Sequence, residues 1–175
     1  MRKIVVLCGI LTLVAPALAW SQEAQYDDLF TFRTLEEFQP VAQDWAAAYM
    51  AQVPKLKVQA EVIEDPSEFV DKIDNEMFTI GPMLPDRIVD RLESSVSPTV
   101  HIQVFSRGSK PIYAWADEIM LGQNKLLRTG LELMLSEAGQ TAAKDNGFTP
   151  LSLKLVNDQR KQWKLKELTK AQYKY

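Results

Sequence analysis

The sequence has very little cysteine and histidine, with one of each in 175 residues. Cys8 lies in an N-terminal segment that we expect to be removed, so the mature chain has no thiol for disulfides or redox chemistry. A zinc site normally takes several Cys or His ligands, and His101 is the only histidine. A lone histidine would also need a nucleophile and an orienting carboxylate within reach to act as a base. These shortages predict a non-enzymatic protein with no cofactor and no bound metal.

A long apolar run is also missing. The run Ile4–Val14 is shorter than the roughly 20 residues that span a bilayer. It follows the basic pair Arg2-Lys3 and precedes Ala17-Leu18-Ala19, the small-x-small pattern that signal peptidase accepts. We therefore interpret residues 1–19 as a cleaved signal peptide, the alternative being an uncleaved anchor. This interpretation predicts a periplasmic protein with no membrane span after cleavage.

The mature chain has few basic residues relative to acidic ones. Losing two cations lowers the basic count from 20 to 18 against 23 acidic residues, which gives a net charge of −5. An acidic chain of this kind is a poor partner for nucleic acid. The segment 160–174 is locally basic, and we interpret it as a solvated helix face, with a binding patch as the alternative.

Hydrophobic periodicity predicts alternating strands and helices after a polar leader at residues 20–28. Apolar residues at three- and four-residue steps, among them Trp45, Tyr49 and Met50, predict that one face of the first helix is buried. Asp65-Pro66-Ser67-Glu68 predicts a helix start, and so does Pro85. The predicted strands are 29–32, 57–63, 78–81, 100–105 and 111–115, and the other predicted helices are 41–53, 121–135 and 136–146.

This order predicts an α/β fold consisting of a single three-layer domain over residues 29–152. Its sheet is expected to be mixed and mostly parallel, with helices on both faces. A helical tail is expected over residues 153–175.

Several segments together are similar to one known family. These segments are Pro40–Tyr49 (PVAQDWAAAY), Phe78–Met83 (FTIGPM), Lys110–Trp115 (KPIYAW), Leu131–Gln140 (LELMLSEAGQ) and Gly147–Leu151 (GFTPL). In this order and spacing they resemble the phosphate-type periplasmic substrate-binding proteins of ABC importers. The last two segments are similar to the family's "LSxxGQ … GYxPL" signature.

The resemblance implies one lobe of a periplasmic binding protein type II fold. Family members hold their ligand between two lobes, the second inserted before the returning strand. Here only about 25 residues separate Met83 from Lys110, too few for a lobe. The chain therefore resembles a first lobe alone.

The resemblance also implies a phosphate site built from hydroxyls and helix N-terminal N–H groups, which suit anions. In this sequence Glu36 and Glu37 stand where hydroxyls are expected, and Thr34 with Glu37 is predicted to form a capping box. A second acidic cap is expected from Asp65. The candidate ligand-binding residues at this cleft edge are Thr34, Glu36, Glu37, Asp65, Ser67, Met83 and Arg107.

Two functions follow as expectations. The first is an exported solute-binding-like protein with a reduced and altered phosphate site, which binds a small anion or other small solute weakly. The second is a periplasmic interaction or sensory module whose partner is another protein or a second copy of the chain. The turn Arg107-Gly108-Ser109-Lys110 is either an anion-binding turn or an ordinary surface turn.

Overall fold

Six strands and five α-helices are present in the computed structural model, which describes residues 29–65, 79–81, 84–85 and 99–175. The predicted signal peptide 1–19, the leader 20–28, Ser67 and Met83 lie outside these residues. The strands are β1 Leu29–Thr34, β2 Lys57–Val62, β3 Thr79–Ile80, β4 Leu84–Pro85, β5 Thr99–Arg107 and β6 Lys110–Asp117. The helices are α1 Gln39–Gln52, α2 Glu118–Gln123, α3 Lys125–Met134, α4 Glu137–Asp145 and α5 Leu153–Gln162.

The strands form a parallel sheet in the order β2-β1-β3 and an antiparallel sheet in the order β4-β6-β5. The backbone N–H of Gly81 donates to the carbonyl of Trp115 at 2.9 Å and so joins the two sheets. The fold is thus a single mixed α/β domain, as predicted. The described strand pairings are two parallel and two antiparallel, so the expectation of a mostly parallel sheet is wrong. The β5–β6 hairpin accounts for the difference, because a two-residue turn can only join antiparallel strands.

The core lies where α1 packs on β1. Phe30 and Phe32 are two residues apart and therefore lie on the same face of β1. The ring centroid of Phe30 is 4.9 Å from that of Tyr49 in α1, and the ring centroid of Phe32 is 5.9 Å from that of Trp45 in the same helix. Both α1 side chains are buried as predicted, and their polar atoms bond to backbone carbonyls of α3 and α4. Met50 is 40% exposed, so its predicted burial is wrong. It is turned about 100° from Tyr49 around the helix axis.

One predicted helix needs correction. The predicted helix 121–135 is divided at Asn124, whose extended backbone separates α2 from α3 and whose side-chain oxygen accepts from the Leu126 and Leu127 N–H groups. Pro85 pairs with Ile112 in β4, and the residues after Pro85 and after Asp65, where two further helices are predicted, lie outside the described residues. The predicted cap at Ser136 is confirmed, since its hydroxyl oxygen accepts from the Gly139 N–H at 3.1 Å.

Candidate functional site

The carboxyl ends of the three parallel strands meet at one edge. After β2, the N–H of Ile63 donates to the carbonyl of Thr34, the last residue of β1, at 2.9 Å. After β3, Gly81 packs directly against the backbone of Arg33. Ligands of open parallel sheets bind at this kind of edge. The described residues Thr34, Glu36, Glu37 and Asp65 lie at or just after the carboxyl ends of β1 and β2 and so at the appropriate end of the sheet.

Thr34 does not present its hydroxyl to this edge. The side chain is fully buried, and its hydroxyl donates to the carbonyl of Leu35 at 3.1 Å. The predicted capping box of Thr34 with Glu37 is therefore wrong. A 3₁₀ turn over Glu36–Phe38 leads directly into α1, and no side chain caps either segment. A backbone carbonyl of the 3₁₀ turn satisfies the first N–H group of α1 instead, because the Gln39 N–H donates to the Glu36 carbonyl.

Glu37 is instead paired with Arg107. The Nη1 atom of Arg107 lies 2.7 Å from a carboxylate oxygen of Glu37, across 70 positions of sequence. The two side chains remain 52% and 40% exposed. An exposed pair of this kind stabilises a fold by only about 0.2–1 kcal/mol, so it can be displaced at little energetic cost.

The guanidinium of Arg107 also rests on aromatic rings. Its central carbon lies 5.5 Å from the ring centroids of both Phe38 and Phe148. These rings and Phe105 form a cluster with centroids 4.7–5.8 Å apart. The cation–π contacts fix the position of the Arg107 head group more firmly than the ion pair alone would.

Among the other predicted site residues, Glu36 and Asp65 are exposed at the same edge. The structure thus joins Glu37 to Arg107 and keeps the Thr34 side chain buried. Ser67 and Met83 lie outside the described residues, so their places in the site stay predictions.

His101 faces a different environment. It lies opposite Trp115 in the hairpin, and the two rings stack with centroids 4.3 Å apart. The side chain is half-buried. Among residues 29–65, 79–81, 84–85 and 99–175, no three His, Cys, Asp or Glu side chains are grouped so as to hold a metal ion.

The basic C-terminal segment is solvated as expected at its lysines, which are all exposed, but α5 ends at Gln162 and Arg160 is not part of a solvated face. Arg160 is buried and donates to the carbonyls of Lys166, Glu132 and Leu135. Burial lowers the pKa of Arg160, and Glu132 partly offsets that effect. Tyr173 is buried as well, so it cannot belong to an exposed aromatic partner surface. No described helix is both long and apolar enough to cross a membrane.

The sequence indicated both cations of the turn Arg107-Gly108-Ser109-Lys110 but not the aromatic rings that support Arg107. Lys110 is the direct cross-strand partner of Arg107 in the β5–β6 hairpin. The two-residue Gly-Ser turn between two cations is the sequence feature that indicates this cross-strand pairing, because such turns place the flanking residues opposite each other.

Comparison of the chain with models of protein families finds no matching family, and comparison with curated proteins finds no matching protein. The resemblance to phosphate-type binding proteins therefore rests on the sequence segments quoted above.

Proposed function

We propose that this protein is an exported, non-enzymatic binding protein related to one lobe of the phosphate-type solute-binding proteins, with an altered phosphate site. The observation that carries the proposal is the pairing of Glu37 with Arg107, together with the burial of the Thr34 side chain. The hydroxyl at this edge is bonded to the backbone, and the cation is bonded to a carboxylate. Among the described residues of this edge, the hydroxyl and the cation that would meet a phosphate are thus both already bonded within the protein, which supports an altered site.

Electrostatics then argue against tight phosphate binding. A phosphate about 4 Å from the Glu37 carboxylate would be repelled by about 1–4 kcal/mol, depending on the local dielectric constant. Micromolar binding requires about 8 kcal/mol in total, so losing this much weakens the affinity by one to three orders of magnitude. Weak binding of a small anion remains compatible with the site.

Titration calorimetry with inorganic phosphate tests the altered site. We expect no binding in the micromolar range for the wild-type chain. A micromolar dissociation constant would show that the phosphate site is intact and would overturn this part of the proposal.

Export is tested separately by sequencing the N-terminus of the protein from a periplasmic fraction. We expect the mature chain to begin at Trp20, directly after the Ala17-Leu18-Ala19 pattern. Recovery of intact Met1 from that fraction contradicts cleavage at this site.

A second function is favoured by the exposed acidic side chains Glu36, Glu64 and Asp65 at the same edge. Such a surface suits contact with a basic protein partner better than contact with a free anion. In a pull-down from periplasmic extract, the double variant E36K/E64K would lose a partner that the wild type retains. The variant D158K, altered at an exposed position of α5, serves as the control and should retain that partner.

A further inference from the structure

The tip of the β5–β6 hairpin places two cations opposite each other. Arg107 and Lys110 flank the turn Gly108-Ser109 as direct cross-strand partners, and all four residues are exposed. Opposite residues of an antiparallel pair project from the same face, with Cβ atoms about 5 Å apart. Like charges in this arrangement destabilise a hairpin unless an anion lies between or beside them.

Glu37 supplies only part of that compensation. Its carboxylate pairs with Arg107, and in the described part of the chain no ion pair is recorded for Lys110. The three side chains together carry a net charge of +1. One unit of positive charge at the hairpin tip therefore remains for an external anion.

The head group of Arg107 is held in place for such a contact. Its distances to the Phe38 and Phe148 centroids are both 5.5 Å, and the two centroids are themselves 5.5 Å apart. The central carbon of the guanidinium is therefore equally close to both rings, which hold the head group from two sides. One N–H group bonds Glu37, and the exposure of 52% leaves other donors open to water.

There is also space beside the two cations. Gly108 has a φ of 61°, and a Cβ added there would meet no atom within 4 Å. The exposed Ser109 hydroxyl lies in the same turn. The turn therefore leaves room for a group of several atoms.

From this placement we propose that the hairpin tip binds the oxyanion group of a small solute between Arg107 and Lys110, with Glu37 as a resident competitor. A guanidinium suits a phosphate or carboxylate because its N–H groups match two oxygens. The proposal rests on the function proposed above and names the ligand class and the residues that hold it. An exposed site with one competing carboxylate binds in the millimolar range, which agrees with the expected absence of micromolar phosphate binding.

The test is a titration of the ¹⁵N-labelled protein followed by amide resonances. Sodium phosphate and sodium acetate form two arms, and sodium chloride at matched ionic strength is the control. We expect the Gly108 and Ser109 resonances to shift saturably with phosphate, with acetate or with both, and not with chloride. Saturation with only one salt identifies which oxyanion the tip prefers. Shifts that are linear, or equal in chloride, overturn the proposal.

Variants add a second readout. E37Q removes the competitor and should tighten oxyanion binding about 1.5- to 5-fold, the range expected for an exposed ion pair. D158N removes an exposed carboxylate of α5 and should leave binding unchanged. K110Q should weaken binding without disturbing the Arg107 rings. If E37Q and K110Q both bind like D158N, the site is not at this hairpin.

The two proposals fail in different ways. A micromolar dissociation constant for phosphate contradicts the altered phosphate site. The amide resonances of Gly108 and Ser109 then still test whether an oxyanion binds at the hairpin tip. Unmoved hairpin resonances contradict only the location and ligand class proposed here.

Discussion

Gln140 shows how a single polar side chain can hold several elements together. The side chain is fully buried, and its amide nitrogen donates to the carbonyls of Val104 and Met134 at 2.7 Å and 2.8 Å. Its amide oxygen accepts from the Leu151 N–H at 2.8 Å. One residue therefore satisfies backbone groups of β5, the end of α3 and the segment after α4. This role explains the position of glutamine in the quoted LSEAGQ segment.

Replacing Gln140 by leucine should destabilise the protein strongly. The variant leaves three buried backbone groups without their partner, at a cost of about 1–3 kcal/mol each, so we expect a loss of at least ~3 kcal/mol. Urea unfolding followed by circular dichroism measures the loss. Gln52→Leu, at the exposed end of α1, is the control and should change stability by less than about 0.5 kcal/mol. Similar unfolding midpoints for the two variants would contradict the role of Gln140.

At the scale of elements, the segment after α5 is docked by specific bonds although it is not helical. The Tyr173 hydroxyl donates to the Leu151 carbonyl at 2.5 Å. The Asn157 side chain bonds both the N–H and the carbonyl of Leu168. α5 itself ends at Gln162, so the expected helical tail is helical only in its first part. Buried polar contacts hold the rest of the described tail in place.

This docking predicts sensitivity to alkaline pH. Burial raises the pKa of Tyr173, with smaller contributions in the same direction from Tyr175 and Glu137. The folded chain then holds the phenolic proton more tightly than the unfolded chain, whose tyrosine pKa is about 10. The stabilisation is therefore full below pH ~10 and is lost as the pH rises above that value.

Urea midpoints measured from pH 8 to pH 11 test this expectation. Tyr173→Phe keeps the packing and removes the ionisable group, so its stability should fall less steeply above pH ~10 than that of the wild type. At pH 8 the variant should be less stable by about 1 kcal/mol, because it lacks the bond to Leu151. Parallel curves for both proteins over the whole range would show that Tyr173 does not carry the alkaline dependence.

At the scale of the whole molecule, the described contact between the parallel and antiparallel sheets depends on a close approach at Gly81. Its N–H donates to the Trp115 carbonyl at 2.9 Å. A Cβ at this position would overlap the backbone oxygen of Arg33. Only glycine lets the ends of β1 and β3 come this close while the bond to β6 is kept. This junction helps to set how the parallel sheet, with Glu37 after β1, lies relative to the hairpin that carries Arg107.

Gly81→Ala should therefore lower the free energy of unfolding by about 2 kcal/mol, as expected for a group forced into a packed site. Gly122→Ala is a matched control, because a Cβ on that helical glycine meets no atom within 4 Å. It should stabilise the protein by about 0.5–1 kcal/mol. Thermal unfolding of both variants gives the comparison, and an unchanged or higher Tm for Gly81→Ala would refute the close approach.

The sequence by itself determined the local features of the protein. A short run of aromatic and branched residues predicted β1, and alternating side chains predicted β2. Helical spacing predicted the buried face with Trp45 and Tyr49, and Ser136 marked the start of α4. These features depend on contacts within one turn or one strand, which neighbouring residues specify. The alternation of strands and helices likewise indicated a mixed α/β domain.

The tertiary structure alone decided which distant groups meet. The sequence predicts Glu37 as part of a helix cap, whereas in the structure it pairs with Arg107, 70 positions away. Arg160 appeared to be a solvated surface residue and instead lies buried against backbone carbonyls. Local propensities cannot specify such pairs, because their geometry follows from how β5, the 3₁₀ turn and the C-terminal segment pack against one another. The sequence named Glu37 and Arg107 as candidates, and the packing of the β5–β6 hairpin against the segment before α1 decides that they meet.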